Sequence, residues 1–209
     1  MRNLLRNRSM ALSATSTQMQ VGATDERRAF ENLMRQTHRQ AFTLAYRLTG
    51  NTTEAEDLVQ DTYVRAFRFF HRYDRNLSFT SWLYRIMANT HIDMMRRKGR
   101  FKLTSLDQTG ADGASTWEFA DDGPNAERAM LNVSMSEHVQ KALNSMTPEF
   151  RTAVLLADVE GMAYEEIADA MSTSVGTVRS RIHRGRKQIR THLLNHANSS
   201  YRGYADELH

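Results

Sequence analysis

Apolar residues recur at three- and four-residue steps along most of the chain, the period at which a helix gathers side chains onto one face. Over residues 25–49 the stripe is Phe30, Leu33, Met34, Ala41, Phe42, Ala45 and Leu48, and Gly50-Asn51 closes it with residues that tolerate left-handed backbone angles. Thr53 with Glu56 has the spacing of a capping box and opens a second helix reaching to about residue 71. Its inward set is Leu58, Val59, Thr62, Ala66, Phe67 and Phe70, which leaves Glu54, Asp57, Gln60 and Asp61 as a polar, acidic outer face. Residues 77–100 predict a further helix with Phe79, Trp82, Leu83, Ile86, Met87, Ile92 and Met95 inward. Beyond residue 126, Met130, Val133, Val139, Leu143 and Met146 mark another, and Thr147-Pro148-Glu149 starts the next, carried by Val154, Leu155 and Val159 to Gly161. Alternating strand patterns are almost absent, so the expected fold class is all-α.

Residues 161–190 carry the most information. Tyr164, Ile167, Ala168 and Met171 form the buried stripe of a short helix, and Ser172-Thr173-Ser174 supplies hydroxyls able to end that helix and cap another. Val175, Val178, Ile182 and Ile189 then keep an apolar seam, while Arg179, Ser180, Arg181, His183, Arg184, Arg186, Lys187 and Arg190 occupy the rest of the circumference. Helix, tight turn and basic helix is the layout of a helix-turn-helix whose second helix lies in the major groove. Thr177, Arg179, Ser180, His183 and Arg184 fall in the first two turns, where base edges are reached, and an arginine there can bond a guanine bidentately. Arg186, Lys187 and Arg190 come later and suit phosphates, adding affinity without sequence information. The plain alternative is a solvated basic face on a helical hairpin.

Net charge is only +4, so distribution matters more than the total. Arg96, Arg97, Lys98, Arg100 and Lys102 form one basic knot and the recognition helix another. Between them, residues 107–127 hold Asp107, Asp112, Glu118, Asp121, Asp122 and Glu127 with no lysine or arginine. Residues 102–125 have the glycine content of a linker, although Trp117 and Phe119 sit inside it as buried aromatics or as a docking point. The expected organisation is a disordered tail over 1–24, a helical domain over 25–101, the linker over 102–125, a second helical domain over 126–195 and a tail over 196–209. No cysteine is present, which removes disulfides, a thiol nucleophile and zinc fingers and fits a reducing cytoplasm. No run approaches a membrane span, so no membrane insertion is expected.

Two other function classes find little support in the residues. His91 and Asp93 lie close together, but no ligand pair at metal spacing, glycine-rich phosphate loop or nucleophile elbow accompanies them, so no catalysis, metal or cofactor is expected and both read as surface residues. A free-standing operator-binding regulator would need a sensor pocket or dimer seam in the N-terminal half. That half instead ends in a basic knot after an aromatic-rich helix, as a binder of unpaired strands would.

Three segments in order, AEDLVQDTYVRAF at 55–67, FTSWLYRIMANTHIDMMRRKGR at 79–100 and YEEIADAMSTSVGTVRSRIHRGRKQIR at 164–190, resemble the bacterial sigma factors of the extracytoplasmic function group. The resemblance covers nearly everything after the tail. It implies a helical domain two, a linker and a helical domain four, acting together to bring core RNA polymerase to minus-35/minus-10 promoters and to open the strands. Asp57, Gln60 and Asp61 would then face the clamp helices of the polymerase largest subunit, and domain four the flap of the second-largest. Asn89 matches the position lining a pocket for an extruded minus-10 base, with a plain helix cap as the alternative. Arg96, Arg97, Lys98 and Arg100 would hold phosphates beside it, with Trp82 and Tyr84 as stacking faces or core. The minus-35 contacts fall on Arg179, Ser180, His183 and Arg184, and His183 stands where many relatives carry an aromatic. An anti-sigma partner is implied, and the acidic linker would thread the polymerase's basic channels.

Overall fold

A computed structural model describes the backbone over residues 2–106 and 137–196, and side chains over 25–98 and 137–195. Every regular element among the described residues is helical. Helix α1 spans Arg2–Thr49, α2 Thr52–Arg68, a 3-10 turn Phe70–Arg72 and α3 Phe79–Leu106. After residues outside the described set come α4 (Glu137–Asn144), α5 (Pro148–Val154) running into a π turn (Leu155–Val159), α6 (Tyr164–Ala170) and α7 (Val175–His196). The sequence reading starts the first helix at residue 25; α1 starts at Arg2, and residues 2–24 hold no proline and a single glycine, Gly22, to interrupt it.

The chain divides into two compact units, Met1–His38 and Arg39–His209. In the first, Arg27 pairs with Glu31 at 2.9 Å, one helical turn on, and the Thr37 hydroxyl donates to the Leu33 carbonyl at 2.8 Å. In the second, Ala41, Leu44, Ala45 and Leu48 of α1, Leu58, Val59, Thr62 and Ala66 of α2, and Leu83, Met87 and Ile92 of α3 are buried. A further set comprises Leu143, Val154, Leu155, Leu156, Ile167, Val178, Ile182, Ile189 and Leu193, from α4 through α7. Helix α7 is the hub of this part, with α4, α5 and α6 all packed on it. Helix α3 lies against α2 on one side and against α5 and α6 on the other.

Local chemistry differs from expectation at two points. The α2 cap is Asn51, whose side chain accepts from the Glu54 N–H at 2.8 Å, while Thr53 lies exposed inside the helix. Gly50 takes φ +83 and turns the chain so that Asn51 is extended, which aims its amide at the first free N–H groups. Phe67, expected inward, is 50% exposed, and Tyr63 fills the buried position one turn earlier. The π turn is visible in the Glu160 N–H, which donates five residues back to Leu155 at 3.1 Å. Gly161 follows at φ +65 and ends the α5 segment.

Candidate nucleic-acid interface

The α6 to α7 connection fixes how α7 is presented. Ser172 adopts φ 50, an uncommon left-handed angle for a residue with a side chain, and the Thr173 N–H donates to Ala168 at 3.0 Å to complete the C-cap. Ser174 then caps α7 by accepting from the Thr177 N–H at 3.1 Å. The same hydroxyl lies 2.9 Å from that of Thr177, so Thr177 is part of the cap and is half-buried.

From there α7 separates into two faces. Val178, Ile182, Gly185 and Ile189 are buried, whereas Arg179, Ser180, His183, Arg184, Lys187 and Gln188 are exposed and share the opposite side. Gly185 permits the approach to α5: a Cβ there would lie 2.5 Å from a methyl of Val154. Arg186, read as a phosphate clamp, points elsewhere. Its Nε and Nη2 donate to the two carboxylate oxygens of Asp158 at 3.0 and 2.5 Å, and this fork raises its already high pKa. The π turn places Asp158 within reach of that guanidinium, a pairing 28 residues apart that periodicity does not reveal.

On α3, Asn89 is exposed in the middle of an unbroken helix and caps nothing. Arg96 and Arg97 are also exposed, seven and eight residues on and hence on the same flank, about 10 Å along the axis. Asp93 sits between them in sequence and pairs with Arg65 at 3.3 Å. Lys98 is half-buried and pairs with Glu54 at 2.7 Å, while the Arg100 side chain lies outside the described residues. Trp82 is half-buried in an aromatic cluster, with ring centroids 5.1 Å from Tyr73, 5.6 Å from Phe79 and 6.4 Å from Phe70. Tyr73, which the sequence reading passed over, is tied by its hydroxyl to the Leu77 carbonyl at 2.6 Å. Tyr84 cannot offer a stacking face, because it is buried beside Glu160; burial first and that carboxylate second push its phenol pKa up. His91, read as a surface residue, is fully buried with Nδ1 3.2 Å from the Thr152 hydroxyl.

Asp57, Gln60 and Asp61 are exposed on one side of α2. That side continues into Val64 and Phe67, 63% and 50% exposed, so acidic groups run into an apolar strip. Nearby, the guanidinium carbons of Arg68 and Arg72 lie 5.9 and 5.5 Å from the Phe69 ring centroid. The acidic linker residues, with Trp117 and Phe119, fall outside the described residues, and none of the described helices is long and apolar enough to cross a membrane.

Known proteins resemble two stretches of the chain. The family model for Sigma-70 region 2 matches residues 33–101, and the model for Sigma-70 region 4 matches residues 136–189. The ECF RNA polymerase sigma factor SigE of Mycolicibacterium smegmatis is 40% identical over 176 residues, 82% of this chain and 64% of that protein. The chain therefore spans under two thirds of SigE. The ECF RNA polymerase sigma factor SigW of Bacillus subtilis is 33% identical over 153 residues, covering 73% of this chain and 82% of SigW. Among solved structures, the sigma factor RpoE in complex with the anti-sigma factor NepR from Bartonella quintana shares the fold at TM-score 0.58 and 24% identity, covering 81% of this chain and 99% of that one.

Proposed function

The chain belongs to the extracytoplasmic function group of RNA polymerase sigma factors, and from that premise we propose that it directs core RNA polymerase to minus-35/minus-10 promoters and helps to open them. The observation that carries this reading is the exposed side of α7, where Arg179, Ser180, His183, Arg184 and Lys187 stand together opposite a buried seam. A helix held in this way, with its N-terminal turns free, suits the major groove of a minus-35 element. Arg179, Ser180, His183 and Arg184 read bases there, and Lys187 holds phosphate. In the free chain Arg186 is engaged by Asp158 and Thr177 serves the cap.

The flank of α3 receives the melted minus-10 strand. Asn89 offers an amide to the Watson-Crick edge of an extruded base, and Arg96 and Arg97, with Lys98 and Arg100, hold the phosphates that follow. Opening is driven by binding energy gained on unpaired bases, without a catalytic residue. The exposed face Asp57, Gln60, Asp61 docks on the polymerase clamp helices, and Val64 and Phe67 add an apolar contact that neighbours those charges. The second region, residues 126–195, meets the flap of the second-largest subunit, with residues 102–125 as the connection from residues 25–101. We place the protein in the cytoplasm, where its polymerase is, and expect an anti-sigma partner, since a chain of the same fold is held by one.

Footprinting of the polymerase complex on wild-type and altered promoters tests the division of labour. Arg184→Ala should weaken discrimination of the minus-35 letters, and Lys187→Ala should weaken all sequences about equally. Equal losses for both variants would refute it.

A further inference from the structure

Residues 39–106 and 137–196 meet through a set of polar contacts that the proposed functions do not use. The buried Arg151 guanidinium donates across the boundary to the Leu48 carbonyl, and on its own side to the carbonyls of Asn144 at 2.8 Å and Met146 at 3.2 Å. Leu48 and Asn144 stand at the C-terminal ends of α1 and α4, where carbonyls lack intrahelical partners and the helix dipole is negative. One cation thus caps two helices, one from each side. Gln140 reinforces the contact by donating to the Arg47 carbonyl at 3.3 Å and to the Asn144 side chain at 2.9 Å.

Steric and charge matching follow the same line. Gly50 packs so closely that a Cβ would lie 2.6 Å from the Asn144 amide. Arg47 and Glu160 pair at 3.7 Å with only 13% and 15% of their side chains exposed, and Tyr84 is hydrogen-bonded to the same carboxylate. His91 meets Thr152, and at the rim Arg85 pairs with Asp169 at 3.2 Å. A largely buried pair left without its partner is costly, so these groups hold the two parts together as a set.

That arrangement conflicts with simultaneous reading of two promoter elements. Helix α3 packs on α6 and α6 on α7, which keeps the α3 and α7 axes within about 20 Å of each other. The minus-35 and minus-10 elements are separated by about 25 base pairs, or about 85 Å of duplex. Adding the whole length of α3, about 42 Å, does not span the difference.

We propose that the Arg151, Glu160–Arg47 and Gly50–Asn144 contacts form an intramolecular latch, holding the free chain in a resting arrangement that must open before both elements are engaged. The inference rests on the sigma-factor reading for its consequence, but the latch itself is tested without polymerase. The chain has no cysteine, so Thr53→Cys and Glu165→Cys, both at exposed sites on either side of the boundary, can carry a spin-label pair in the full-length protein. A single short distance is expected in the free chain, a longer distribution with Arg47→Glu, and return of the short distance in Arg47→Glu/Glu160→Arg, where the charges are exchanged. A broad, long distance in the unaltered chain would overturn the latch, as would an Arg47→Glu chain that keeps the short distance, or a charge exchange that fails to restore it. With core polymerase added, Arg47→Glu should reach half-maximal run-off transcript at several-fold lower chain concentration, because less of it is held closed. An unchanged or higher concentration would show that the contacts do not restrain activity.

Discussion

Lowering the pH should destabilise this fold through one side chain, His91. Its ring is fully buried on α3 against Thr152, and its pKa is pushed down to about 3 by burial first, then by the charges of Arg151 and Lys98. The surrounding ions include Glu54, which pairs with Lys98 and offsets part of that cationic field. In the unfolded chain the same imidazole titrates near about 6.5. The folded state therefore binds fewer protons, so the contribution is fully present above about 6.5 and is lost as the pH falls from there toward about 3. At pH 5 the gap is about 1.5 pH units, equivalent to about 2 kcal/mol, against almost nothing at pH 7. Urea unfolding at both pH values, for the natural chain and for His91→Leu, isolates this contribution from the other titrating groups. The natural chain should lose about 2 kcal/mol more than the variant between pH 7 and pH 5. Parallel pH dependence in the two proteins would refute the assignment of a buried neutral imidazole.

Other consequences follow from contacts on α7 and α2. Gly185→Ala places a methyl 2.5 Å from Val154; overpacking of about 2 kcal/mol outweighs a helix-propensity gain of about 1 kcal/mol, so the melting temperature should fall, and an unchanged or raised value would contradict the close α5–α7 approach. Asp158→Ala releases Arg186 toward DNA, and the salt dependence of promoter binding by the polymerase complex should steepen by about one counterion. A slope identical to that of the natural protein would mean that Asp158 withholds nothing. Asp57→Arg/Asp61→Arg should cut association with core polymerase at least about tenfold while circular dichroism stays unchanged, since both carboxylates are exposed. Full retention of binding would remove this face from the docking surface.

Helices with a long apolar stripe were legible from spacing, and so was the turn between α6 and α7, because Gly161 and the Ser172-Thr173-Ser174 run announce it. The exposed side of α7 follows from the same periodicity: once Val178, Ile182 and Ile189 face inward, Arg179, His183, Arg184 and Lys187 must face out. What escaped was polar chemistry whose partner is far away in sequence. His91 and Tyr84 read as surface or stacking residues because neither pattern nor hydropathy reveals Thr152 or Glu160 beside them. Arg151 gives no signal in the sequence, since a lone arginine between Phe150 and Thr152 looks solvated until two helix ends converge on it. Arg186 reads as a DNA contact for the same reason: its partner Asp158 lies 28 residues away, in the π turn. Phe67 misled in the opposite direction, as apolar character placed it inward while the phase of α2 leaves it half exposed beside Val64.

Run-off transcription with core RNA polymerase on a library of genomic promoters, with and without this protein, tests the central claim most directly. The protein should produce transcripts that start at fixed sites downstream of a shared pair of upstream elements, and Arg184→Ala should lose them selectively. If the protein never associates with the polymerase and yields no new transcript from any template, the assignment of α2, α3 and α7 to polymerase and promoter is contradicted.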